Sequence, residues 1–174
     1  MNINLPAGAL YNIDLNVTGN FKTSLPNGLL VENIVFEVTE SESLTDESIL
    51  LKNLRLLKDF GFKTAIDDFG VGYSGLKLLM EYQPNFVKLD RYMISDIHEN
   101  KIKQVIFLGV QEMCEDLSIE VVAEGVENEE EYFWLERQGV RLFQGYYFAK
   151  PAFEALPAVI FSNSGVDTSL NTAF

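Results

Sequence analysis

The sequence predicts an α/β chain whose parallel strands form a curved piece of a (β/α)8 barrel. Three observations carry that prediction. Short runs of β-branched and aromatic residues alternate with amphipathic helical segments, most of these runs end in a polar residue, and the polar ends are spread over six strands. A doubly wound sheet would gather such groups at one switch point instead.

The strands are expected at "YNIDLNV" (11–17), "IVFEV" (34–38), "FKTAI" (62–66), "FVKLD" (86–90), "IEVVA" (119–123) and "VRLFQGYYF" (140–148). Between the second and third, "TDESILLKNLRLLKDFG" spaces Ile49, Leu50, Leu54 and Leu57 as one apolar stripe. Thr45 or Asp46 can cap its start and Gly61 can end it. A second helix is predicted over about 74–82. A third, over about 99–116, has Ile102, Val105, Ile106 and Met113 as its apolar stripe. A fourth, over about 128–138, opens with Asn128 and Glu131 as a capping box and closes before Gly139. Residues 1–160 read as one domain and 161–174, rich in Ser, Asn and Thr, as a flexible tail.

The polar residues at or near the strand ends are Asn16, Glu37, Asp67, Lys88 with Asp90, Glu124 and Gln144. Together they would line one rim of the sheet. The chain carries 26 acidic against 13 basic residues, a net charge of −13, which argues against a nucleic-acid or anionic-membrane surface. No apolar run approaches the length of a membrane span, and the N-terminus lacks the blocks of a signal peptide. The lone Cys114 has no disulfide partner, and a cytoplasmic location is expected.

One histidine, His98, is too few for a His-built metal site, whereas Asp, Glu and Asn offer hard oxygen donors suited to Mg²⁺ or Mn²⁺. Carboxylates converging with one lysine fit two-metal hydrolysis of a phosphoester, with Lys88 orienting the attacking water or offsetting phosphate charge. The adjacent Asp67 and Asp68 in "IDDFGVGYSG" have the same logic. Side by side they repel, and divalent ions reverse that cost, while the glycines after them let a loop close over a phosphate. The plainer alternatives are solvated turn or capping carboxylates, and a Lys88 paired simply with Asp90. Asp68-Phe69-Gly70 also spells the kinase magnesium motif, but no glycine-rich phosphate loop precedes it.

The ordered motifs "FEVTES", "DDFGVGYSGL", "VKLDRYMI", "VVAEGVE" and "FQGYYFAKP", spread over residues 34–151, resemble the successive signatures of the EAL domain family. The resemblance implies a modified (β/α)8 barrel that hydrolyses cyclic di-GMP to pGpG with Mg²⁺ or Mn²⁺. It makes Asn16, Glu37, Asp67 and Asp68 metal ligands, with Asn12 a weaker alternative to Asn16. Glu40 would anchor the glycine loop, Lys88 would contact the nucleophilic water, Glu124 would support the water network, and Gln144 would lie beside the substrate.

Two departures stand out. No Glu-Ala-Leu triplet, from which the family takes its name, stands on a strand ahead of these motifs, and Gly8-Ala9-Leu10 lies too close to Asn16 to replace it. The segment between Asn16 and Glu37 also looks short, with a Pro and a Gly opposing a long helix. The chain is therefore expected to hold the third to eighth strands of an incomplete barrel. A second copy or a completing segment would cover its open edges, and a parent protein would carry sensor or diguanylate cyclase domains. The alternative to the enzyme is a non-catalytic module that binds cyclic di-GMP or a protein partner.

Overall fold

A computed structural model describes residues 1–5, 25, 29–39, 47–72 and 75–150. The strand expected at 11–17, Asn12, Asn16, Glu40 and the tail 161–174 lie outside the described residues.

Six strands form one parallel sheet: β1 (Asn2–Asn4), β2 (Val35–Thr39), β3 (Lys63–Phe69), β4 (Phe86–Leu89), β5 (Glu120–Glu124) and β6 (Leu142–Gln144). They lie side by side in chain order, so every crossover steps one strand in the same direction. A doubly wound sheet reverses direction at its switch point; this one curls as a half-barrel. The strand beside β2 is formed by residues 2–4, not 11–17. Asn2 pairs with Val35 and Asn4 with Glu37, while the other edge of β2 is taken by β3.

Between the strands run α1 (Glu47–Asp59), α2 (Gly75–Glu81), α3 (Arg91–Ile94), α4 (Lys101–Asp116) and α5 (Glu129–Arg137). The one-turn α3 lies between the strand expected at 86–90 and the helix expected from about 99. It starts because Asp90 accepts a hydrogen bond from Tyr92 N–H (2.7 Å), so Asp90 is a helix cap and not the partner of Lys88. Asn100 caps α4 by accepting from Ile102 and Lys103 N–H, and Asn128 caps α5 by accepting from Glu131 N–H (2.8 Å). After α1 and α5, Gly61 (φ 90°) and Gly139 (φ 96°) take the left-handed conformation that ends a helix.

The period of two along each strand sorts its residues between two cores. Phe36, Val38, Ile66, Val87, Leu89 and Ala123 pack outward against the helices, meeting Leu50, Leu54, Leu57, Leu78, Ile94, Phe107, Cys114 and Leu135. Val35, Ala65, Phe86 and Val122 form a separate inward cluster, with Leu142 against it. This inward layer floors the curl, and the next inward residue on most of these strands is a charged one.

Cys114 belongs to the outer core. Its burial pushes the thiol up to about 11. A disulfide reagent at pH 8 is expected to label it only as fast as the chain unfolds; rapid labelling of the folded protein would contradict that placement. Because the folded pKa is the higher one, the unfolded thiol ionises first. This group's contribution to stability is complete below the unfolded thiol's pKa and declines as pH rises towards 11.

The capping box at α5 takes a different form from the expected one. The Glu131 carboxylate, buried, reaches past Asn128 to accept from Glu127 N–H (2.9 Å), and it also accepts from Asp96 N–H (2.9 Å) in the turn after α3. One side chain thus ties two loops together, and it holds Asp96 at a positive φ of 55°. Glu131→Ala is expected to cost about 3 kcal/mol, since two inward N–H groups lose a charged acceptor, with Glu131→Gln recovering part of it in thermal melts.

Candidate functional site

The polar cluster stands directly above the inward apolar layer, at the C-terminal ends of β2 to β5. Lys88 on β4 is at its centre, 5% exposed. Its Nζ lies 3.0 Å from Glu37 Oε2 on β2, 2.9 Å from Asp67 Oδ1 on β3 and 2.9 Å from Glu124 Oε1 on β5. Three strands therefore aim carboxylates at one ammonium. The fourth carboxylate, Asp68, joins Asp67 and Glu124 in a group in which one oxygen from each lies within 4.8 Å of the other two.

Asp67 and Asp68 are adjacent, so an ideal strand would send them to opposite faces. A bulge prevents this. Ile66 pairs with Val87 and Phe69 with Leu89, so two residues of β3 stand opposite one of β4. Asp68 takes a left-handed φ of 54° and its N–H donates to Asp67 Oδ1 (3.1 Å). The strained backbone brings both carboxylates to the rim, at a conformation that Asp tolerates better than most residues.

The electrostatics are unbalanced. Four carboxylates, Glu37, Asp67, Asp68 and Glu124, face one lysine. Burial works against the Lys88 ammonium, but Glu124, Asp67 and Glu37 outweigh it and hold its pKa above the ordinary lysine value. Burial pushes the Glu124 carboxyl up to about 7; Lys88 opposes the rise and Asp67 adds to it. Half-buried hard oxygen donors in excess of positive charge are a donor set that fits divalent cations.

Of the residues expected at the site, Glu37, Asp67, Asp68, Lys88 and Glu124 come together. Gln144 sits at the end of β6 in register with Glu124, exposed on the rim. Glu40, Asn12 and Asn16 lie outside the described residues. In the place on the sheet where Asn16 was expected stand Asn2 and Asn4. Asn2 Nδ2 donates to Glu37 Oε1 (2.8 Å), and Asn4 pairs with Glu37 one step nearer the rim. The signal was present in the sequence: "NINL" puts two amides on one face and Ile3 with Leu5 on the other. A Glu-Ala-Leu triplet does occur, at Glu154-Ala155-Leu156, but it follows the last motif and lies outside the described residues.

Fold and site define a parallel α/β half-barrel with a cluster of carboxylates around one lysine on its C-terminal rim. The EAL domain family matches residues 1–151, and the chain belongs to that family. Among solved structures, a standalone EAL protein from Vibrio cholerae O395, in its c-di-GMP-bound form, is 42% identical. The alignment covers 91% of this chain and 67% of that one, with a TM-score of 0.84. BlrP1 of Klebsiella pneumoniae, in a calcium/cy-diGMP complex, is 44% identical over 91% of this chain and 40% of its own, with a TM-score of 0.81; a manganese/cy-diGMP complex of it also matches, at 0.78. Relatives from Escherichia coli K12 include the following two. The blue light- and temperature-regulated antirepressor BluF is 37% identical over 76% of this chain and 33% of its own length. The probable cyclic di-GMP phosphodiesterase PdeG is 38% identical over 76% and 26%. The chain thus spans a third or less of these curated relatives. No described helix is long and apolar enough to cross a membrane.

Proposed function

We propose that this chain is a cyclic di-GMP phosphodiesterase domain that hydrolyses the cyclic dinucleotide to pGpG with Mg²⁺ or Mn²⁺. The observation that carries the reading is Lys88 held 2.9–3.0 Å from three carboxylates on three strands, with Asp68 completing a hard-oxygen cluster. Glu37, Asp67, Asp68 and Glu124 would hold the ions, and Asn4, at the rim end of β1, would add an amide oxygen. Bound there, divalent cations would supply Lewis-acid polarisation of the phosphate and activation of water.

The protein's own residues set the geometry. Asn2 fixes Glu37 through its Nδ2, so one carboxylate oxygen is oriented before any ligand arrives. Lys88, kept charged by its neighbours, offers an ammonium at the floor of the site, where it orients an attacking water or offsets charge developing on the phosphate. Gln144 and the glycines after Asp68 would contact the substrate at the rim.

A second reading, a module that binds the dinucleotide or a partner without turnover, is favoured by a relative named an antirepressor. The two part in one experiment. Cyclic di-GMP is incubated with the folded chain and Mn²⁺ or Mg²⁺, pGpG is followed, and binding is measured in parallel by calorimetry. Metal-dependent pGpG supports the enzyme, binding without product supports the module, and neither from a folded sample would overturn both dinucleotide readings.

A further inference from the structure

Helix α3 is a single turn of four residues, too short to be stable by itself, yet it stands between the two loops that present Asp68 and Glu124. It grows directly from the strand that carries Lys88, through the Asp90 cap. On one side Met93, 8% exposed, packs against Gly70 (φ 98°), two residues after Asp68; a Cβ there would fall inside contact distance of Met93 Sδ and Cγ. On the other side Arg91 lies against Gly125 (φ 69°), the residue after Glu124, where a Cβ would crowd Arg91 Cα, Cβ and Cγ. Both loop backbones therefore rest on α3 with no side chain of their own between.

Polar contacts hold α3 in that place. Arg91 Nη2 pairs with Glu127 Oε2 (2.9 Å), and the Glu131 carboxylate accepts from Glu127 N–H and Asp96 N–H alike. Behind it stands α4, which buries Phe107, Gln111 and Cys114 and leaves exposed the Ile102, Val105 and Ile106 expected to be its inner stripe. From α4, Lys103 Nζ donates to Ser95 C=O (2.6 Å) and Gln104 Nε2 to Ile97 C=O (2.9 Å). The site gives this wedge its purpose. Asp67, Asp68 and Glu124 repel one another, and Asp68 reaches the rim through a left-handed φ of 54° that persists only where the surroundings impose it. We propose that Met93 and Arg91 are positioning residues: α3 fixes the spacing of the Asp68 and Glu124 carboxylates, and with it how tightly the rim takes a divalent cation. The affinity part of this inference rests on the cation-binding reading of the rim.

The test combines amide hydrogen exchange with Mn²⁺ calorimetry on the full 174-residue chain, circular dichroism confirming each variant's fold. Met93→Ala should speed exchange at Val71 N–H, which donates to Asp68 C=O, and weaken Mn²⁺ binding about tenfold, as loss of a group that orients a metal ligand does. Met93→Leu refills the space and should stay close to wild type. Arg91→Ala, at a side chain 60% exposed, should leave the fold intact and speed exchange at Glu127 N–H. Leu50→Ala, in the outer core on α1, should lower the melting temperature without changing the affinity for Mn²⁺. Wild-type exchange at Val71 and Glu127 in the Met93 and Arg91 variants would overturn the wedge. So would a Met93→Leu as impaired as Met93→Ala, or a Leu50→Ala that weakens Mn²⁺ binding as much. A wild type that takes up no Mn²⁺ would overturn the cation reading and the affinity claim together, while the exchange rates would still decide whether α3 holds the loops.

Discussion

Lys88→Ala is expected to lower pGpG production by at least 10²–10³-fold, on the order seen when a preorganised charge is removed from a reacting phosphate or acyl group. The same substitution has a stability signature that does not depend on turnover. Lys88 is almost fully buried and its ammonium is shared by Glu37, Asp67 and Glu124, so its removal leaves three carboxylates facing one another without a counter-charge. Breaking a buried ion cluster on one side costs about 3–5 kcal/mol. Divalent cations would replace the missing charge, so Mn²⁺ should raise the melting temperature of the variant by more than it raises that of the wild type. A metal-free variant as stable as the wild type would show that the lysine does not neutralise this cluster.

The second large effect is at Gly145, immediately after Gln144. Here the chain leaving β6 passes against the end of β5. Val126 N–H donates to Gln144 C=O (3.1 Å), and Tyr147 N–H donates to Val126 C=O (3.0 Å). A Cβ on Gly145 would fall inside contact distance of the Val126 carbonyl oxygen and amide nitrogen, both of them backbone atoms that cannot swing aside. Gly145→Ala should therefore prise β6 from β5 and cost about 3 kcal/mol, or roughly 10 °C in melting temperature. Gly109→Ala is the contrasting control. It sits in open space within a helix, so the same added methyl should stabilise the folded chain by up to about 1 kcal/mol. Equal effects at the two positions would show that the contact at Val126 is not tight.

The turn at Gly145 also explains why β6 is short. "VRLFQGYYF" reads as one long strand, but pairing stops at Gln144 because the following residues bond back to Val126 and Gly145. Tyr147 and Phe148 then pack on Tyr132 of α5 instead of continuing the ladder. Alternation of apolar residues cannot distinguish these outcomes, since an aromatic cluster and a strand both demand buried rings.

By itself the sequence determined the alternation of strand and helix, the α/β class and five residues of the rim cluster, Glu37, Asp67, Asp68, Lys88 and Glu124. These are local facts: strand runs, caps and glycine stops are set within a few residues, and a charge at a strand end is visible where it stands. Tertiary structure decided the rest. Whether Asn2–Asn4 or residues 11–17 flank β2 depends on a pairing 33 residues away in the chain. The direction of Asp68 depends on a bulge defined by the neighbouring strand, and the buried face of α4 depends on which stripe the sheet meets. Both stripes of α4 contain apolar residues, and its period alone does not say which one the core takes, because burial is a property of the partner surface as much as of the helix.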